Sequence, residues 1–600
     1  MTNIVYLGAT TTKEAPTKDN EAIPAEISDP RPVNADDIAL HDPSMPIGYA
    51  LFNDGIYFAP ADDDSSPHVH VCSPLRVEAV FSNKGGTGWG KVISVKNSDG
   101  DWRDLHITNQ DLTRSPNEVL SRLIDHGLEL ATGRKAKEQL FTLLKQWKPD
   151  VRMTAVNKLG WVGDDHAAFA MPDGAIGTGA VIPMISSAGL AGSLTCKETV
   201  GGWKDAVGMK CRDNPMMILA VSLAFSGPLL SILGLGGGGL HFRGSSSSGK
   251  TTLLRLAASV WGSPDLVAQW RATGNGLEGI ASTLNDMLLP LDEIAEISAR
   301  ELGETIYMLA NGTGKVRMTK AAASSQIASW RLALISSGEI SVEEKLNEAN
   351  KTQMAGQEVR LIDIEADARC NGVFDALHGS RNGSTFSNEL KNATTRFHGQ
   401  AGRAFVNYII RERVRLGLAI AKTVRGIQDI ALSSITGPLS GQVSRVAERF
   451  AVIGTAGEVA TNAGITGWDK GAATRAAIAA FHDWYDGKHG DQNDAAADFA
   501  TPLKAFIAAN VNALCAVGSA TPDRTVIGWQ DKTRVYLSPE TWASIFPGTT
   551  GTEAAKALIA SNLLYPGEDK RLMRKAPRGI PDRPRLYTVN SEGLAQFAAK

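Results

Sequence analysis

Cysteine is scarce in this sequence and never clustered. Five cysteines, Cys72, Cys196, Cys211, Cys370 and Cys515, stand far apart among 600 residues, and no two form a C-x-x-C pair. That spacing excludes a zinc ribbon and a disulfide framework, and it fits a reducing cytoplasm. Charge excess is missing too: the formal net charge is -3, so any attraction to nucleic acid must come from local patches. No charged-then-apolar leader opens the chain, which argues against secretion. One uncharged run, residues 214–240, is long enough for a membrane span, but it is interrupted by Ser226-Gly227-Pro228 and ends in Gly236–Gly239. It reads as two buried helices and a loop, with no membrane contact and a cytoplasmic location.

Against these absences stands one dense motif. Gly244, Gly249, Lys250 and Thr251 fit G-x-x-x-x-G-K-[ST], with Ser245, Ser246, Ser247 and Ser248 between the glycines and Thr252 after them. The glycines let the backbone turn so that successive N–H groups face phosphates. Lys250 brings positive charge to the β and γ phosphates of ATP, and Thr251 offers its hydroxyl to Mg²⁺. Leu240-His241-Phe242 closes a short strand before the loop. Leu253, Leu254, Leu256, Ala257 and Val260 give an apolar face to a helix after it.

Further elements follow the loop in a telling order. Met287 to Glu293 is an apolar run ending in two acids, 42 residues beyond Lys250. It reads as a buried strand that delivers Asp292 to Mg²⁺ and Glu293 to the attacking water. Asn311 to Lys320 is a Gly-bounded segment carrying Lys315, Arg317 and Lys320, either a hairpin that touches DNA phosphates in a central pore or a solvated surface hairpin. Trp330 to Ile335 predicts a strand with Ser336-Ser337-Gly338-Glu339 at its tip, where Ser337 is placed to sense the γ-phosphate. Gln357 to Ile364 predicts another strand. It carries Arg360, which either reaches a neighbouring subunit's γ-phosphate or pairs locally with Asp363 and Glu365; Arg317 is the reserve for the trans role.

The flanks divide into four regions around an ATPase core at 201–375. Residues 1–45 are acidic and proline-rich, a disordered tail by composition. Residues 46–200 read as an α+β domain, with short strands up to Ile107, helical spacing over 117–147, and Trp89 and Trp102 expected to pack inside. A hairpin follows at Lys158-Leu159-Gly160-Trp161. Residues 376–500 read as a helical lid region, in which Arg445 and Arg449 either approach nucleotide or pack on a partner helix. Residues 501–600 open with a helix from Pro502 to Val517 and suggest a winged-helix-like basic domain. Residues 570–585 hold seven bases against one acid, which suits a duplex-binding wing or a solvated hairpin.

From about 150 to 590 the chain resembles the domain-of-unknown-function family 927 of phage, plasmid and genomic-island replication proteins. The matching stretches are Lys158–Trp161, Gly244–Thr252, Ala258–Gly262, Leu291–Ile294, Leu309–Gly312, Gly314–Arg317, Trp330-Arg331, Ser336–Glu339 and Gly356–Leu361. The family looks like a ring-forming ATPase. The order of carboxylate strand, basic hairpin, polar sensor and late arginine is similar to superfamily-3 replicative helicases. The resemblance implies an AAA+-like P-loop NTPase fold and a Mg²⁺-dependent ATP hydrolase that moves on single-stranded DNA as a homo-hexamer. Family members fused to a primase carry modules absent from residues 1–150, so primase activity is expected only from a partner in trans. The alternative is a DNA-stimulated ATPase switch that loads or remodels other replication proteins without unwinding.

Overall fold

The computed structural model describes residues 42–59, 68–133, 135–185, 189–314, 328–433, 435, 439–519, 526–548, 550–568 and 571–597, the side chains of 489–495 excepted. The expected tail at 1–45 lies almost wholly outside them. The chain forms two compact units, Met1–Met153 and Thr154–Lys600.

The first unit is mixed α+β. Strands β1 (Leu75–Asn83), β2 (Gly90–Lys96) and β3 (Trp102–Thr108) form an antiparallel meander. Helices α1 (Pro116–Asp125) and α2 (Ala136–Gln146) bury Leu123, Leu140 and Leu144 with Ile93, Val95 and Ile107 of the sheet. Lys91 is buried, and its Nζ donates to the carbonyls of Lys145 and Trp147 at 3.0 and 2.6 Å, closing the carbonyl end of α2. Burial lowers its pKa to about 8. Trp89 and Trp102 are not in this core: they are 44% and 38% exposed. Both stand at strand starts, where the ring faces outward, and Arg76 lies 4.5 Å over Trp102. Trp147 is the tryptophan buried here.

The second unit is built on a parallel sheet. A buried helix, α3 (Pro215–Leu233), leads into β4 (Gly238–Arg243). Then come α4 (Lys250–Ser259), β5 (Ala268–Gln269), α5 (Gly274–Thr283), β6 (Met287–Asp292), α6 (Ala299–Asn311), β7 (Leu332–Gly338) and β8 (Leu361–Glu365). The sheet order is β5-β6-β7-β4-β8, every pair parallel. Both faces are covered, so β6 and β7 read as near-continuous apolar runs. Two strands depart from expectation. β7 starts at Leu332 and includes Ser336 and Ser337, because the serines are buried and paired rather than projecting at a tip. Residues Ala355–Glu358 form a helical turn, so the last strand begins at Leu361 and Arg360 precedes it.

Residues 214–240 do not form two helices. α3 is continuous through Pro228. Proline has no N–H for the carbonyl four residues earlier, which would strand Ala224 O in the core. The Trp261 indole fills that role, donating to Ala224 O at 2.8 Å. Pro228 O in turn accepts from Trp161 Nε1 at 3.0 Å. α3 is also the one described helix long and apolar enough to cross a membrane, and it is mostly buried in this core.

The C-terminal part carries α7 (Gly383–Arg396), α8 (Gln400–Ser433), α9 (Gly441–Asn462) and α10 (Ala472–Ala509). The helix expected from Pro502 is the end of α10, which tolerates Pro502 because the unsatisfied carbonyl of Asp498 is at an exposed position. After it come β9 (Cys515–Ala516), β10 (Gly528–Gln530), β11 (Arg534–Leu537), α11 (Pro539–Ile545), α12 (Thr550–Ala560), β12 (Leu564–Tyr565), β13 (Arg574–Lys575) and β14 (Arg585–Asn590). These strands form a sheet in the order β9-β10-β11-β14-β12, with β13 beside β14.

Candidate functional site

The central strand β4 ends at Arg243, and residues 244–249 turn the chain into α4. Ser247 and Gly249 both have positive φ, 64° and 98°. A Cβ on Gly249 would meet Val373 Cγ2 at 2.6 Å, so glycine is required there for packing as well as conformation. Lys250, at the first turn of α4, is buried, and its Nζ donates to Gly244 O at 2.8 Å and Ser245 O at 2.7 Å. Among the described residues it forms no ion pair. A buried ammonium held only by neutral oxygens of its own loop, the two carbonyls and the Ser248 hydroxyl at 3.4 Å, at a helix N-terminus, is an unfilled demand for an anion.

Two neighbouring strands bring oxygens to the same place. Asp292, the last residue of β6, accepts from Thr251 Oγ1 at 3.4 Å and from the Ser337 hydroxyl of β7. Glu293 follows with φ 60°, a left-handed conformation that costs a non-glycine residue about 1–2 kcal/mol. Such strain is concentrated at functional positions. These groups and Ser246–Thr252 line a cleft of about 510 Å³ beyond the carboxyl ends of the strands, the place where parallel sheets hold ligands.

Several residues at the cleft or bonded to its loop carry no local signal in the sequence. Asp367, just past β8, accepts from Ser245 N at 2.7 Å and Ser245 Oγ at 2.8 Å, and these bonds lower its pKa. Ser387 of α7 meets Thr252 Oγ1, and Asn388 lies beside it on the cleft wall. The rule that ligands sit off the carboxyl ends of parallel strands points to Asp367; nothing local points to α7. A larger cavity of about 720 Å³ opens beside Arg243. Glu343, Glu344, Glu358, Asp363 and Glu365 line it and outnumber the bases Arg243, Arg369 and Lys488, a balance that disfavours phosphate.

Arg360 is placed elsewhere. It stands before β8, at the end of the sheet opposite the 244–249 turn, so it cannot join the cleft of its own chain. Its Nε donates to Asn311 Oδ1 at 3.0 Å and its Nη1 to Gly356 O at 2.6 Å, with Tyr307 4.8 Å beneath the guanidinium. The acids weighed as local partners are engaged otherwise: Asp363 accepts from Val342 N, and Glu365 pairs with Arg243. Arg449 is at that far end too, donating to Gly236 O and Gly237 O, while Arg445 turns back to Gly441 O. Lys315, Arg317 and Lys320 lie outside the described residues. The residues on either side of that segment pair antiparallel, Thr313 with Ser329, and Gly314 N donates to Ala328 O at 2.9 Å.

Behind the cleft, His241 of β4 and Asp363 of β8 are register partners, the histidine buried and the aspartate half-buried. Trp270 Nε1 donates to Ser336 Oγ, whose proton goes to His241 Nδ1; His241 Nε2–H then meets Ile340 O at 2.9 Å. Burial lowers the His241 pKa to about 4, so the ring is neutral. Burial raises Asp363 to about 7. The raised carboxyl stabilises the fold below its unfolded pKa, and that contribution is lost as pH rises through about 7. Asp363→Asn removes the loss. Its urea midpoint should gain on the wild type between pH 4.5 and 8, by a few kcal/mol in stability at about 1.36 kcal/mol per pK unit. A gap that does not change with pH contradicts the assignment.

Residues 49–327 match one family model, the domain of unknown function DUF927. This stretch is a DUF927 domain. The resemblance read from the motifs is thereby shown, although the DUF927 match begins about a hundred residues earlier than those motifs and ends before β7. No curated protein matches the sequence. Among solved structures, one described as the active helicase Cch of SCCmec type IV superposes with a TM-score of 0.57 at 19% identity, covering 92% of this chain and 98% of that one. At that identity the likeness is one of fold, a mixed α/β chain with several sheets. The apo C-terminal region of NrS-1 covers 66% of this chain and 88% of its own at 14% identity, but its TM-score of 0.25 carries no weight.

Proposed function

We propose that the chain is an ATP-dependent DNA helicase of a mobile-element replication system. It works as a homo-hexameric ring that hydrolyses ATP at sites shared between subunits and moves along single-stranded DNA. The observation that carries this reading is the buried Lys250 ammonium at the head of α4, without an ion pair among the described residues and sharing one cleft with Asp292 and Glu293. The fold likeness to a helicase supports it. On this reading residues 201–375 are a P-loop, AAA+-like core, and the C-terminal sheet with α11 and α12 is a winged-helix-like module. A primase, where one acts, is a partner in trans.

The residues fit Mg²⁺ and ATP. Among the described residues no group of three His, Cys, Asp or Glu could hold a metal alone. Mg²⁺ is ordinarily held by one or two protein oxygens plus phosphates and water, which matches Thr251 and Asp292. When bound, the metal neutralises charge on the transferred phosphoryl group. The N–H groups of 244–251 and Lys250 bind and orient the triphosphate. Glu293 takes the proton of the attacking water, and Ser337 reads the γ-phosphate from its place on Asp292. Arg360, stacked on Tyr307 and directed away from its own cleft, serves a neighbour's. Lys315, Arg317 and Lys320 grip the translocating strand.

Strand displacement from a forked duplex with Mg-ATP, beside a Lys250→Ala control, tests the helicase reading. Displacement is expected from the wild type alone. DNA-stimulated hydrolysis without displacement would leave the loading or remodelling switch instead. Mixing Arg360→Ala with Glu293→Gln subunits should restore ATPase activity, because each supplies the half-site the other lacks. No recovery at any ratio removes Arg360 from the shared site.

A further inference from the structure

The C-terminal sheet carries a basic ribbon that the ATPase reading leaves unused. β13 pairs antiparallel with β14, setting Lys575 directly opposite Arg585. Like charges so placed destabilise a strand pair. Arg571, Arg574, Lys575, Arg578, Arg583 and Arg585 are all exposed, and none forms an ion pair among the described residues. The ribbon is not a loose solvated loop. Ala576, Ile580 and Leu586 are buried against Tyr536, with Val517 and Trp529 packed alongside, and a Cβ on Gly579 would sit 2.8 Å from Val517 Cγ1. At its turn Asp582 and Arg583 are consecutive left-handed residues, φ 55° and 47°, a conformation that only surrounding structure sustains. That turn lets Arg583 Nε donate to Ala576 O at 3.0 Å, holding the guanidinium along the ribbon.

Apolar anchoring and a strained turn together present six exposed cations on an ordered backbone, without an internal counter-charge among the described residues. We infer that the β13–β14 ribbon clamps the phosphate backbone of double-stranded nucleic acid, a second contact distinct from the translocation track; this rests on the nucleic-acid reading above. Single-strand platforms combine charge with rings on which bases stack. Here the nearby rings are engaged within the fold. Trp529 and Tyr536 belong to the ribbon's own packing, and Tyr587 is stacked on Trp542 at 4.2 Å. The ribbon therefore offers charge without stacking, which suits phosphates on a duplex.

Binding of the full-length chain to a blunt-ended duplex and to an oligo-dT strand, without nucleotide and over a series of salt concentrations, tests this. The triple variant Arg574→Ala, Lys575→Ala, Arg585→Ala should bind duplex at least tenfold more weakly. Its log-log salt slope should flatten by about 2–3, at roughly 0.9 for each phosphate no longer neutralised. Oligo-dT binding and DNA-free ATPase activity should be unchanged. Arg574→Lys with Arg585→Lys should retain duplex binding. Unchanged duplex affinity and slope overturn the proposal, equal losses on duplex and oligo-dT overturn its duplex assignment, and weakened binding by the lysine variant overturns the phosphate role. Because no ATP is present, these outcomes are separate from failure of strand displacement.

Discussion

Glu293→Gln is expected to lower ATP turnover by about 10²–10³-fold while ATP is still bound, within the range that a positioned general base contributes. The substitution keeps the size of the side chain and the hydrogen-bonding geometry but removes the carboxylate that accepts a proton. Glu293 reaches the cleft through its left-handed backbone directly after β6, so glutamine inherits the same position. Lys250→Ala should behave differently. It removes the one buried cation from the anion site, and equilibrium binding of ATP should fall together with hydrolysis. Single-turnover hydrolysis beside binding of a fluorescent ATP analogue separates the two. A Glu293→Gln protein that hydrolyses within threefold of wild type would remove Glu293 from the role of base.

Gly239→Ala should be the most damaging single-methyl change in the second unit. Gly239 lies on β4, hydrogen-bonded on one side to β7 and on the other to β8. A Cβ there would sit 1.7 Å from Leu334 O and 2.5 Å from Leu334 C. These are backbone atoms of the adjacent strand, so no side chain can rotate away, and the sheet must separate at its centre. A loss of more than about 4 kcal/mol is expected, the exceptional end of single substitutions. Gly279→Ala on α5 is the counter-case. Nothing lies within 4 Å of its added Cβ, and alanine in a helix is favoured by up to about 1 kcal/mol, so stability should rise slightly. Denaturation midpoints of the two variants should move in opposite directions. If Gly239→Ala unfolds within 1 kcal/mol of wild type, the close approach of β4 and β7 is wrong.

Much of the cleft was legible because its parts are local. A Gly-bounded loop between strand and helix and an acidic pair closing an apolar run each need only a few consecutive residues to state their geometry. Ser337 was found, but inside β7 rather than at its tip, since burial and not polarity decided where that strand stopped. Asp367, Ser387 and Asn388 had no such signature. Ser387 and Asn388 line the cleft from α7 and Asp367 holds Ser245 of the loop, all from segments more than a hundred residues beyond it that only the tertiary fold brings in.

The same division runs through the whole chain. The sequence by itself determined that a phosphate-type loop, a carboxylate strand and a late arginine exist, because those depend on residue type and on spacing along one backbone. Tertiary structure decided which of them meet. It joined Thr251 and Ser337 on Asp292 through a parallel sheet in which β7 separates β6 from β4. It sent Arg360 to the opposite end of that sheet, since a residue that precedes a parallel strand cannot stand where the strand ends. It also kept α3 whole through Pro228, because the missing donor came from Trp261, a partner that no local pattern could supply.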